Sequence, residues 1–324
     1  MDSSINQEEI LKNYVKEQET YPTPGSGMET KGSQSIGPKI TSVPGTKPWE
    51  RSMPLGNQIG WIPVKLEDLP TRGLFYPMGT NLAIRAANGG EIRHWSTLDE
   101  TDISALDDML NYVIERCVTL KDDSPVAAYL SWKDIKEIDR LYLLLAIQEL
   151  TFPEGENKLE IKISDTKRLT VKKDMVNYIS LDPAIMKYYN DADRCFVFKQ
   201  KNGNVIKLDI PSIGVTQWLK SYIIRKQQMQ EYIDEDYLNY APFLIRSWKG
   251  LNDDLYNSYV EESHKKWTVP IISILVKFKQ IFKDTIDPVI KYMDEGGVER
   301  SAPLNFQGGI KSIFLISDPF GELE

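Results

Sequence analysis

The sequence predicts an α+β fold: helical bundle units with small antiparallel sheets and hairpins, behind a disordered N-terminal arm. Three observations predict it. Apolar residues recur at helical spacing from Ile103 through Leu106, Leu110, Val113 and Ile114 to Cys117. Strand-like alternation flanks Asn202-Gly203, a strong hairpin signal, between Arg194–Lys199 and Val205–Ile210. A run rich in Pro, Gly, Ser and Thr from Pro22 to Pro48 has the composition of a flexible tether.

Three segments follow from this pattern. Residues 1–48 form the arm, which carries one short amphipathic helix. Ser4 is a good N-cap with Gln7 three residues on, and Ile10, Leu11, Tyr14 and Val15 fall on one stripe. Residues 49–152 form a first α+β domain of a strand plus helices. Residues 153–324 form a second, with hairpins, a helical bundle and C-terminal strands.

In the first domain, Trp61, Ile62 and Val64 anchor an extended lead-in. The chain then reaches Leu69-Pro70-Thr71-Arg72-Gly73-Leu74-Phe75-Tyr76-Pro77, with two prolines and one glycine in nine residues. The prolines favour an extended ribbon over helix or tight coil. Its large side chains either pack on the core or face a partner. A strand over residues 81–86, a turn at Asn88-Gly89-Gly90 and a short helix over residues 91–98 follow. The long helix is capped at Asp99 or Thr101, and Ser131 caps the next. Asp139-Arg140 lies within that helix and is expected to bond to neighbouring loops.

In the second domain, residues 158–163 and 168–173 alternate as strands, and Pro183 opens a short helix. Beyond the hairpin, helices are expected over residues 216–232, 236–248, 253–262 and 268–282. Strands over residues 289–293 and 298–306 and the apolar run Ile313–Ile316 complete the pattern.

Bulk properties narrow the function. The chain has 324 residues, 41% hydrophobic and 27% charged, with a net charge of −8. That balance disfavours a broad phosphate-binding face. Two cysteines, Cys117 and Cys195, form no Cys-x-x-Cys and fit a reducing compartment. The first residues lack the basic and apolar regions of a signal peptide. No run approaches the ~20 apolar residues that span a bilayer. These features predict a cytoplasmic protein without membrane contact.

Catalytic motifs are missing. The sequence holds no phosphate-binding Gly-x-x-x-x-Gly-Lys-Ser/Thr, no Gly-x-Gly-x-x-Gly and no Gly-x-Ser-x-Gly. Its two histidines, His94 and His264, have no second ligand at metal spacing. Acidic clusters such as Asp107-Asp108 and Asp234-Glu235-Asp236 lack the spacing of a calcium loop. No catalytic, cofactor-binding or metal-binding residues are expected, and the chain is not read as an enzyme. Binding residues are expected instead: Ile10, Leu11 and Tyr14 on the arm, and Trp61, Arg72, Phe75 and Tyr76 at the proline-bounded stretch. A nucleic-acid-binding accessory role is the alternative, using Trp218–Tyr222 and Lys265-Lys266-Trp267. Core-facing aromatics with solvated lysines are the simpler reading of both segments.

Leu69–Pro77 resembles the opening of the T-even-type bacteriophage baseplate hub and tail assembly proteins. Further segments are similar to that family in the same order: Arg116-Cys117-Val118, then Asp139-Arg140-Leu141-Tyr142-Leu143-Leu144-Leu145, then Val205 through Pro211 to Ile213-Gly214-Val215. The resemblance covers roughly residues 60–285. It implies a role in phage tail morphogenesis, as a baseplate hub component or an assembly chaperone. The implied partners are the baseplate hub and tape-measure proteins. The implied location is the host cytoplasm during assembly, and the virion tail or baseplate.

Overall fold

Short strands and helices come in consecutive runs along this computed structural model. It describes residues 60–99, 101–122, 130–153, 159–164, 167–172, 175–177, 183–199, 203–286, 289–294, 296–306 and 308–314. All belong to one unit, Lys47–Glu324. The fold is α+β, with small antiparallel sheets of two or three strands among helices. The expected arm, 1–48, lies outside the described residues.

The first sheet has the order β1-β2-β3, from Ile62–Val64, Thr80–Ile84 and Val118–Asp122. Pro63 is tolerated because β1 is an edge strand, where a missing N–H breaks no ladder. Helix α1, Gly89–Ser96, begins earlier than the sequence reading placed it. Asn88 is its N-cap and not part of a turn. Its side chain accepts from the Gly90 and Glu91 amides, and Glu91 accepts from the Asn88 amide at 2.8 Å. Helix α2, Ile103–Cys117, is capped by Asp102, whose Oδ1 accepts from Ala105 N at 3.1 Å. Asp99 instead holds the Thr101 amide and hydroxyl. Ser131 caps a 3-10 turn, Trp132–Asp134, and not the helix after it.

That helix, α3 (Glu137–Thr151), is central. Tyr142 through Gln148 are buried without a break. Such a run fits a helix covered on all sides rather than a surface helix with one apolar stripe. Arg140 ties it to α2 by donating to Asp107 at 2.6 Å and Asn111 at 2.9 Å.

Beyond α3 come β4 (Glu160–Lys162) paired with β5 (Arg168–Thr170), β6 (Val176–Asn177) and a short α4, Pro183–Met186. A second sheet has the order β7-β8-β9, from Tyr189–Asn190, Cys195–Lys199 and Val205–Leu208. The hairpin into β9 keeps Gly203 at φ 86°, a left-handed value that suits glycine. Helix α5, Ile213–Gln228, is capped by Ser212. The single helix expected over 236–248 is two, α6 (Glu235–Leu238) and α7 (Ala241–Leu244). Pro242, in the first turn of α7, keeps α6 from continuing, because its ring would strike the carbonyl of the preceding turn. Helices α8 (Asp253–Lys266) and α9 (Val269–Ile286) follow, then β10 (Val289–Met293), which pairs with β11 (Glu299–Pro303) and β6. A 3-10 turn, Ile310–Ile313, leads into the apolar run expected over 313–316, whose residues 315 and 316 lie outside the described residues. The turn seats Phe314 edge-on to Trp95, 5.0 Å between centroids.

Three apolar clusters result. The largest joins α2, α3 and the first sheet to Leu159, Ile161, Val176, Ile290 and Ile313. The expected boundary after residue 152 therefore falls inside it. A second cluster joins Phe75 to Phe196, Leu208, Phe243, Ile271 and Phe278. The third fills the space among α5, α6, α7 and α8. No helix among the described residues is long and apolar enough to cross a membrane.

Candidate functional site

The Leu69–Pro77 stretch is not the extended ribbon its prolines suggest. It coils through successive turns, with Arg72 N donating to Leu69 O, Leu74 N to Thr71 O and Tyr76 N to Gly73 O, at 2.8, 3.1 and 3.3 Å. Arg72 and Gly73 both have positive φ, 53° and 72°. A Cβ on Gly73 would lie 2.7 Å from Leu66 Cβ, so only glycine fits there. The physical reason for the coil lies on another element. Asp139, at the start of α3, is fully buried and accepts three bonds from the turn. Thr71 N donates to Oδ1 at 2.9 Å, while Thr71 Oγ1 and the Tyr76 hydroxyl each donate to Oδ2 at 2.7 Å. One carboxylate can gather those donors only if the chain folds back on itself. Of the Asp139-Arg140 pair expected to bond to neighbouring loops, Asp139 does so, while Arg140 bonds to Asp107 and Asn111 on helix α2.

The next residues extend the network. Lys136 N donates to the Tyr76 hydroxyl at 3.0 Å, and Lys136 Nζ donates to Asp209 Oδ1 and Ile210 O, each at 3.0 Å. Backbone bonds tie the same segments together: Glu137 N to Pro211 O and Ile213 N to Ile135 O, both 2.9 Å. Three segments singled out in the sequence therefore meet at one junction: the Leu69–Pro77 turn, the start of α3, and the chain from β9 into α5. The fourth, Arg116-Cys117-Val118, is the α2–β3 joint, where Cys117 O accepts from Arg85 N at 3.0 Å.

Gly214, in the last of these segments, has a steric role. A Cβ there would stand 2.4 Å from Trp248 Cγ and Cδ1. Trp248 is pinned in turn by its indole N–H, which donates to Asp134 Oδ1 at 3.0 Å.

Beside the junction opens a recess of about 450 Å³. Tyr76, Lys136 and Asp209 border it, with Pro77, Met78, Asp193, Arg194 and Arg246 around them. Arg246 Nε is buried without a hydrogen-bond partner among the described residues, 3.9 Å from Asp209 Oδ2. Met78 is 75% exposed. The recess thus combines buried charge with an exposed, adaptable apolar side chain. A larger groove of about 820 Å³ runs along β1, α3 and β5, apart from this junction.

No family model matches the chain, and neither does a curated protein or a solved structure. The site must be read from its own chemistry.

Burial pushes the Asp139 carboxyl up to about 6, against the hydrogen bonds from Thr71 and Tyr76. A perturbed carboxyl often marks a functional site, but Asp139 lies beneath the turn, outside the recess lining. Burial raises the Cys117 thiol to about 12 and also raises Cys195, so neither supplies a thiolate near neutral pH. His94 packs 4.4 Å from the Tyr112 ring, and His264 pairs with Asp234 at 2.6 Å. Among the described residues, no cluster of His, Cys, Asp or Glu is arranged to hold a metal ion.

The residues expected to bind partners fare differently. Ile10, Leu11 and Tyr14 lie outside the described residues. Trp61 is half-buried, with the Arg85 guanidinium 5.7 Å above its ring. Arg72 is exposed. Phe75 and Tyr76 require correction as contact residues, because they are only 4% and 1% exposed. Phe75 packs on Tyr189 and Phe196, with centroids 5.5 and 5.4 Å away. Tyr76 belongs to the largest cluster and Phe75 to the second, so adjacent side chains anchor two cores. Sequence reasoning missed Met78, Lys136, Asp209 and Arg246. The signal for Lys136 and Asp209 was charge beside apolar runs, which implies a buried partner.

The second aromatic-basic segment follows the simpler reading, while in the first the aromatics pack inward but Lys220 pairs with Asp107 and Asp108 and does not simply face water. Tyr222 is buried, and Trp218 stacks on it at 5.3 Å. Trp267 packs on Tyr237 at 5.7 Å, beside exposed Lys265 and Lys266.

Proposed function

We propose that this chain acts by protein–protein binding in bacteriophage tail morphogenesis, as a baseplate hub component or an assembly chaperone for hub and tape-measure proteins. One observation carries the reading. The segments that resemble the hub and tail assembly family converge on one hydrogen-bonded junction, beside a recess with an exposed methionine lip. Buried polar networks fix one geometry when every member is satisfied. A fixed turn then presents Met78 and the recess as a preorganised surface, which lowers the ordering cost of association.

Affinity capture with the tagged chain from phage-infected cells tests the proposal. Recovery of hub or tape-measure proteins is the expected result. Salt-sensitive recovery of nucleic acid alone would instead favour the accessory nucleic-acid role. Mass spectrometry of purified virions beside infected-cell lysate separates the two forms of the proposal. Presence in both indicates a structural part, and presence in lysate alone an assembly factor.

A further inference from the structure

A second pocket, of about 360 Å³, shares no lining residue with the recess. Lys133, Lys220 and Arg225 line it together with a single carboxylate, Asp108. Asp107 and Asp108 pair with Lys220 and Asp253 pairs with Arg225, which leaves Lys133 as the pocket's cation without a carboxylate partner among the described residues. The Lys133 ammonium lies 5.5 Å from the Trp132 ring centre and 5.2 Å from that of Trp248. No carboxylate among the described residues lies within ion-pair distance of it. Lys220 pairs with Asp107 and Asp108 at 3.5 Å each. Arg225 pairs with Asp253 at 2.7 Å and sits 5.9 Å from the Trp218 ring centre. Ile224, 40% exposed, adds an apolar surface. Gly214 and the pinned Trp248 indole form one wall, so the pocket is shaped before any ligand arrives.

We propose that this pocket binds a short acidic segment of a partner protein, a carboxylate taken by Lys133 and Lys220 and a neighbouring apolar side chain laid on Ile224 and Trp218. Charge complementarity selects this occupant. Carboxylates supply the anion that Lys133 lacks, and the tryptophan rings hold its ammonium in place by cation–π attraction. Single-stranded nucleic acid is the weaker fit. A phosphate backbone needs a long basic track, and only three cations line this pocket. The inference rests on the protein-binding reading but uses a separate surface.

The test titrates the full chain into a fluorescein-labelled peptide of alternating Glu and Leu, read by anisotropy, with a Gln–Leu peptide and oligo(dT) in parallel. The acidic peptide is expected to bind and to weaken with salt. Lys133→Gln and Lys220→Gln should each weaken it about tenfold, the scale of one charge-assisted contact. Melting temperatures accompany both variants. If Lys133→Gln melts early through loss of its ring contacts, Lys220→Gln carries the comparison. Equal binding of the Gln–Leu peptide, indifference to both substitutions, tighter binding of oligo(dT), or no binding of the acidic peptide would overturn the proposal. Capture of tail proteins through the Met78 recess is read separately. It can succeed where the peptide fails, which would remove the acidic pocket and leave the proposed function standing.

Discussion

The Tyr76 hydroxyl donates to Asp139 Oδ2 at 2.7 Å while accepting from the Lys136 amide at 3.0 Å. One oxygen thus links the proline-bounded turn to both the carboxylate and the backbone at the start of α3. Tyr76→Phe would keep the ring, take the acceptor from the buried Lys136 amide and remove one of the three bonds to Asp139. An unsatisfied buried group costs ~1–3 kcal/mol. Urea denaturation is expected to show a loss of about 2 kcal/mol or more in unfolding free energy. A change below ~0.5 kcal/mol would mean that the hydroxyl does not hold the turn.

Asp139 predicts a pH dependence. Burial raises its carboxyl from the ordinary 3.8 to about 6. The folded state therefore holds this proton more tightly than the unfolded chain. The associated stability is fully present below about pH 3.8 and is lost as pH rises through about 6. At ~1.4 kcal/mol per pH unit, the full change is on the order of 3 kcal/mol. The advantage of the wild type over Asp139→Asn should shrink between about pH 4 and pH 7. A constant difference across that window would contradict the assignment.

Lys136 and Asp209 form a buried pair, with side chains 7% and 6% exposed. Lys136→Met removes one charge and leaves Asp209 with less compensation. Breaking a buried pair from one side costs ~3–5 kcal/mol, whereas replacing both partners is often near neutral. Lys136→Met with Asp209→Leu should therefore recover part of the loss, measured as a double-mutant cycle. Additive losses would show that the two side chains act independently.

Gly214→Ala tests the close approach of Trp248. The new methyl would meet the indole at 2.4 Å, far inside contact distance. Overpacking of this kind costs ~1–3 kcal/mol. A lower melting temperature and a shifted tryptophan emission are expected together. An unchanged spectrum would mean that the indole is not fixed against α5.

Much of the fold was legible because its signals are local. The α2 stripe, the Asn202-Gly203 hairpin and the strong apolar run of α3 depend on periodicity and turn chemistry within a few residues. Boundaries moved where a side chain outside the periodic run acted as the cap, as Asn88 and Asp102 do. The Leu69–Pro77 turn was misread because its shape is set by Asp139, 68 residues away from Thr71, and no local pattern encodes that acceptor. The same distance hid the roles of Phe75 and Tyr76. Apolar area beside proline reads alike whether it faces a partner or a core. Met78 was hidden for the opposite reason, since a lone methionine carries no periodicity that announces exposure.

The most direct measurement compares capture of hub and tape-measure proteins by the wild type, Met78→Asp and Phe75→Ala, with melting curves for each. Met78 is 75% exposed and Phe75 is 4% exposed. The expected result is that Met78→Asp melts like the wild type but loses capture, while Phe75→Ala loses ~3–5 kcal/mol of stability through the cavity it leaves. Full capture by a normally melting Met78→Asp chain, or capture lost by a Phe75→Ala chain of unchanged stability, would contradict the account.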